Sequence, residues 1–255
     1  MIRINKPAQV PEKLAIDGKA ETEKNKQLYE QFEEEYKCGQ REFEIKASIY
    51  GHKTVKDALK KAQYHKCCFC EIKVKSGDVE HFRPKSGYQQ NEKDNLSKPG
   101  YYWLAYEWDN MLYCCPDCNR SYKRNLFPLI DDSKRAKSHS DNIDQEEPLF
   151  IHPGKENPED FIEYKREEPR AINNDQRGKA TIEQIINGNK ELLDELRLTK
   201  YNLCKSLYLL IKRFKKIDEL KALIKDAKQE LEKAVKDSAE YALMMRCAIK
   251  DKFRY

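Results

Sequence analysis

Six of the nine cysteines lie in two tight clusters, Cys67, Cys68 and Cys70 in "CCFC" and Cys114, Cys115 and Cys118 in "CCPDC". Zinc takes four ligands in a tetrahedron at about 2.3 Å, and a C-x2-C turn presents two sulfurs to one side of such an ion. Cys67 and Cys70 with Cys115 and Cys118 therefore make a complete four-thiolate shell. Pro116 gives "CPDC" the form of a knuckle turn, although Cys114-x3-Cys118 is also within ligand spacing. A closed shell has no open position for water, so this zinc is expected to hold structure and do no chemistry. Buried cysteines without a metal are the plain alternative. Between the clusters, "DVEHFRPK" sets Glu80 beside His81; Asn110 follows, and Asn119 comes directly after the last cysteine. Whatever lies between two pinned knuckles is held at fixed geometry. His52 and His65 have no such setting and read as ordinary histidines.

The elements that must position these residues fall into three zones: residues 1–66, 67–130 and 131–255. In the first, a charged helix is expected from Lys19 to Lys37, ended by Gly39, and a second from "TVKDALKKAQYHK" with Thr54 as N-cap. The second zone carries the cysteines. There "EIKVKSGDVEHF" reads as a hairpin around "KSGD", and "NRSYKRNLF" as a short basic helix stopped by Pro128. Residues 131–160 are polar and punctuated by Pro148, Pro153 and Pro158. From Asn189 to Tyr255 there is no Gly or Pro. Leu203, Leu207, Leu210, Phe214, Ile217, Leu220, Ile224, Ala227, Leu231 and Ala234 recur at steps of three and four. Those steps predict a long helix or helical hairpin whose stripe packs inside its own bundle or docks a partner.

The chain has 255 residues, 39% hydrophobic and 36% charged, with a formal net charge of +5. It is long enough for a sizeable core and too apolar to be disordered. The mild positive charge permits nucleic-acid binding without requiring it. The opening "MIRINKPAQV" lacks the apolar run of a signal peptide, and no segment is apolar enough to span a membrane. Clustered cysteines in such a chain point to the cytoplasm and to metal binding rather than to disulfides.

The pattern "CxxC … VEHFRPK … WDNMLYCCPDCNRSYK" resembles the HNH endonucleases, a ββα-metal unit built around a zinc knuckle. The resemblance implies a mainly α protein with a small α+β module: an HNH core on a four-cysteine knuckle, between N-terminal helices and a C-terminal long-helix bundle. Phosphodiester hydrolysis needs an activated water, and a neutral imidazole, here His81, suits the general base. Glu80 and Asn119 supply the oxygen ligands that a hard Mg2+ or Mn2+ prefers, and that ion stabilises charge developing at the phosphate. In the family the residue matching Asn110 orients the histidine-bearing loop. Arg83, Lys85, Arg120, Lys123 and Arg124 are basic residues suited to a phosphate backbone. Residues 87–102 read as an insertion. Tyr101, Tyr102, Trp103, Tyr106 and Trp108 either stack bases or pack the core.

A narrower likeness extends from "MIRINK…PEKL" through "EEPLFIHPGKENPEDFIEY" and "ATIEQIINGNKELLDELR". These segments resemble PtuB-type HNH effectors of Septu and retron anti-phage systems. The resemblance implies a bacterial defence nuclease working with an ABC-type, PtuA-like ATPase, and in retron versions with a reverse transcriptase and its DNA. DNA is the favoured substrate and tRNA the alternative, because a base and a water work on either polymer. A zinc-stabilised binding or assembly subunit without turnover is a third reading, and a stand-alone restriction-type enzyme a fourth.

Overall fold

Two short strands at the centre of the molecule carry the residues of interest: β1 (Asp78–His81) and β2 (Met111–Cys114). They pair antiparallel, with Asp78 opposite Cys114, Glu80 opposite Leu112 and His81 opposite Met111. A computed structural model describes this arrangement for residues 1–254; Tyr255, the last residue of the C-terminal zone, lies outside the described residues. The expected "KSGD" hairpin does not form. Lys73 makes only an isolated bridge to Lys66, and β1 takes its partner from 30 residues further on. Every residue of β2 is buried. An apolar strand of that kind is a better partner for β1 than the charged "EIKVK". Gly77 allows the approach, since a Cβ there would stand 2.6 Å from both the Cys114 carbonyl and the Tyr113 ring.

Upstream, a helical turn at Leu14–Gly18 runs into α1 (Lys19–Lys37), and Gly39 follows with φ +78°. After α2 (Ala47–Tyr50) comes α3 (Lys53–Ala62), whose Val55 and Leu59 lie four apart and are fully buried. Its N-cap is His52 rather than Thr54: the His52 Nδ1 accepts from the Thr54 amide, so the chain turns helical two residues earlier than expected. Just beyond α3, the Gln63 side chain exchanges two hydrogen bonds of 2.7 Å with the Tyr113 backbone, standing in for a third strand along β2.

After β2 the chain forms a helical turn at Asp117–Lys123. This turn starts two residues before the expected basic helix. It ends at Arg124, whose φ of +47° breaks the helix before Pro128 is reached. Residues 131–160 are loops with 3-10 turns. A hairpin of β3 (Ile162–Lys165) and β4 (Glu168–Ala171) follows, then α4 (Gln176–Thr181).

The last zone holds α5 (Lys190–Phe214), α6 (Lys221–Ala234) and α7 (Ala242–Lys250), with α5 and α6 packed as a hairpin. On α6 the expected stripe of Ile224, Ala227, Leu231 and Ala234 is buried. On α5 it is displaced: the buried positions are Leu193, Arg197, Tyr201 and Cys204, whereas Leu203 is 57% exposed. Helix α7 packs on β3 and returns to the first cysteine knuckle. There Lys66 Nζ meets Glu71 Oε2 at 2.9 Å, and the Ala242 amide donates to the same oxygen at 3.0 Å. Among the described residues no helix is long and apolar enough to cross a membrane.

Candidate active site and metal centre

The Sγ atoms of Cys67, Cys70, Cys115 and Cys118 all lie within 4.8 Å of one another. Cys70 and Cys115 are 3.7 Å apart, matching the edge of about 3.8 Å that a tetrahedron with 2.3 Å zinc–sulfur bonds requires. Backbone amides already donate to two of the sulfurs, Phe69 N to Cys67 and Cys118 N to Cys115. Cys114 is within 3.7 Å of Cys67, but with Cys68 it makes a group of only three. A four-thiolate shell closes with Cys115. Burial pushes the Cys68 and Cys114 thiols well up. Cys115 is pulled down to about 5, chiefly by hydrogen bonding from Cys114 and Cys118. Cys70 is held high, chiefly by Cys115, and Cys118 is high as well, while Cys67 is held low within the same group. A dication lets all four ionise. The donor set fits zinc.

Successive side chains of a strand point to opposite faces, so Glu80 and His81 diverge. Glu80 turns toward the Asp117–Lys123 turn, where Lys123 Nζ stands 2.6 Å from Glu80 Oε1 and 3.1 Å from the His81 carbonyl. Both side chains are closed off from solvent, at 0% and 3% exposure. Burial raises the Glu80 carboxyl above its ordinary value, and Lys123 opposes that rise. Oε1 is buried without an aligned hydrogen-bond donor, so the ion pair satisfies its charge but not its geometry.

His81 faces the other way. Its Nε2 is 2.9 Å from the Ala105 carbonyl, and its ring meets Tyr50 edge-on at 4.8 Å between centroids. A carbonyl oxygen only accepts, so Nε2 carries the proton and Nδ1 keeps the lone pair. Burial, with Lys85 nearby, holds the imidazole neutral, well below the usual histidine range. Lys85 is half-buried, lies 4.9 Å over the Tyr50 ring, and acts electrostatically on Glu80 and His81 alike.

Asn110 clamps the loop after His81. Its Oδ1 accepts from the Arg83 amide at 2.8 Å, and its Nδ2 donates to the carbonyls of Arg83 and Leu104 at 3.0 Å. Asn119 is half-buried, and its Nδ2 reaches the Val79 carbonyl at 3.5 Å, which turns its amide oxygen away from that carbonyl. A carboxylate oxygen without an aligned donor and a side-chain amide oxygen are chemically fit for a hard divalent cation. Lys123 is the competitor for that carboxylate.

The basic residues separate sharply. Arg83 is 8% exposed and ion-paired at 2.7 Å with Glu146. Glu146 also accepts from Tyr101 and from the Ala136 amide. Arg83 and Lys123 therefore brace the interior instead of presenting free charge to a phosphate backbone, because each neutralises a buried carboxylate. Arg120 is exposed but grips Asp78 with two bonds of 2.7 Å. Lys85 and Lys123 both act electrostatically on Glu80 and His81, Lys123 more strongly on Glu80 and Lys85 more strongly on His81. Tyr101, Tyr102, Trp103, Tyr106 and Trp108 are buried and pack the core. Tyr50, the Ala105 carbonyl and Glu146 were missed by sequence reasoning. Tyr50 precedes the first knuckle by 17 residues, and nothing in its neighbours marks it.

Comparison with curated proteins finds Septu protein PtuB of Bacillus mycoides, 42% identical over 119 residues, 46% of this chain and 40% of that protein. The chain is similar to PtuB. It is also 32% identical to Septu protein PtuA of the same strain over 146 residues, 54% of this chain and 20% of that protein. The chain thus spans less than half the length of either curated relative. No family model matches it. No solved structure matches it.

Proposed function

We propose that this protein is an HNH-type endonuclease that hydrolyses phosphodiester bonds, DNA before tRNA, as the effector of a Septu-type anti-phage system in the bacterial cytoplasm. The observation that carries the reading is the Nε2–H···O=C bond from His81 to Ala105, which fixes the tautomer with Nδ1 as the basic atom. Held neutral by burial, that nitrogen is able to take a proton from a water at the phosphate. Asn110 sets the position of the loop, and Tyr50 and Lys85 line it. Glu80 and Asn119 would hold Mg2+ or Mn2+, which supplies Lewis-acid charge stabilisation when bound. The likeness to PtuB supports the defence role, and the likeness to PtuA supports a PtuA-like ATPase as companion. The retron reverse transcriptase and its DNA stay at the level of the family resemblance.

A second reading, a zinc-stabilised assembly subunit without turnover, is favoured by one observation: His81 and Glu80 are only 6% and 2% exposed. One experiment separates the two. Zinc-loaded protein is incubated with supercoiled plasmid or total tRNA and Mg2+ or Mn2+, with and without the co-expressed ATPase. Cleavage by wild type and its loss in His81→Ala, at unchanged zinc content, supports the nuclease. No cleavage of either polymer under any condition, companion included, leaves the assembly subunit.

A further inference from the structure

Helix α5 carries two apolar stripes. One, through Leu193, Tyr201 and Cys204, faces the core. The other begins with Leu192 and Leu196, 45% and 40% exposed, and passes Leu203 at 57%. It continues through the half-buried Leu207, Leu210 and Phe214. With Thr199 included, the steps along this second stripe are 4, 3, 4, 4, 3 and 4. That is close to the a/d rhythm of a coiled-coil seam, sustained over about 33 Å of helix at 1.5 Å per residue. The seam is most open at Leu192, Leu196 and Leu203, while Leu207 also packs partly against the core, and an exposed apolar row of this kind marks an interaction surface.

Two features identify the occupant. The stripe is symmetric about Leu203: its positions fall 4, 7 and 11 residues away on both sides. Two such helices crossing antiparallel at Leu203 would therefore match every stripe position with another stripe position. The charge is polar along the same axis. Glu191, Asp194 and Glu195 lie at the N-terminal end, no Asp or Glu occurs from residue 196 to 217, and Lys212, Arg213, Lys215 and Lys216 lie at the far end. Asp194 is engaged with Arg197, while Glu191 and Glu195 are exposed. A parallel pair would set basic ends against each other; an antiparallel pair sets acidic against basic. On the flank turned away from the core, Glu195 lies 8 residues before Leu203 and Arg213 lies 10 after it, which brings each within reach of the other's counterpart on a second molecule.

We infer that the outer face of α5 is a two-fold interface between two copies of this chain, antiparallel, with Leu203 on the axis. A self-complementary patch of this kind is what a C2 dimer requires, and each flanking charge contact then occurs twice. The inference stands apart from the hydrolytic reading, since none of its residues touches the site.

Sedimentation equilibrium and light scattering on the zinc-loaded full chain test it. Wild type is expected at twice the 30.2 kDa chain mass. Leu203→Glu, which puts two carboxylates at the axis, is expected at the single-chain mass with unchanged circular dichroism and zinc content. Glu195→Arg is expected to weaken the dimer about tenfold through its two symmetric contacts, and adding Arg213→Glu to restore it. A monomeric wild type at the highest concentration reached, or a dimeric Leu203→Glu, overturns the interface. A double charge swap no tighter than the single one overturns the antiparallel arrangement.

Discussion

Lys123 Nζ lies 2.6 Å from Glu80 Oε1 where neither side chain reaches solvent. Removing one member of such a pair strands the other as an uncompensated buried charge, which costs about 3–5 kcal/mol. Lys123→Met should therefore destabilise the fold by about that amount in urea unfolding. Glu80→Gln combined with Lys123→Met should lose less than the sum of the two single changes. A purely additive double variant would show that the two charges do not depend on each other.

The cysteine geometry separates neighbours that sequence leaves ambiguous. Cys115→Ser should lower bound zinc well below one equivalent, because Cys115 completes the four-sulfur group. Cys114→Ser should keep it. Metal analysis of the purified variants gives the answer, and the reverse pattern would move the ligand one residue back.

Asn110 makes three hydrogen bonds to the backbone on both sides of the site. Asn110→Ala leaves the buried Arg83 amide and carbonyl without these partners, while the Leu104 carbonyl keeps the Glu107 amide, at a cost of about 2–4 kcal/mol. Amide exchange at Phe82 and Arg83 should quicken more than exchange in α3. Equal quickening in both would mean that the clamp is not local.

His152 provides an acid-sensitive point outside the candidate site. Its Nε2 is 3.0 Å from the Asp109 carbonyl and its Nδ1 accepts from the Gly154 amide at 3.1 Å, a fully used neutral ring. Burial pulls its pKa down to about 3. Between about pH 6.5 and 3 the unfolded chain binds a proton that the folded one refuses, so stability is full above that window and falls as pH drops through it. The slope from this group should be about 1.4 kcal/mol per pH unit, and His152→Gln should flatten it in urea titrations between pH 4 and 6.

Where chemistry fixes spacing, the sequence was readable. Helix α1 occupies the expected Lys19–Lys37, and the chosen four cysteines converge. What was hidden depends on contacts between distant segments. Strand β1 alternates no more clearly than the segment before it, so only the burial of "MLYC" reveals its partner. Lys123 looked like a phosphate contact because a lysine's burial is invisible until the Asp117–Lys123 turn is laid against β1. The three-and-four rhythm of α5 was real but does not say which side faces in. Tyr201 and Cys204 took the core, Leu203 was left outside, and Leu207 packs only partly against it.

The return of α7 to the first knuckle bears on how the molecule is made. All four clustered cysteines are made by residue 118, yet the amide that completes Glu71 belongs to Ala242. Over the 124 residues from Cys118 to Ala242 the nascent chain carries a knuckle whose sulfurs are all made but whose buried glutamate is still open on one side. Final closure of the cysteine module is thus set by α7, and a chain stalled before it would carry the four-sulfur group in an unfinished module.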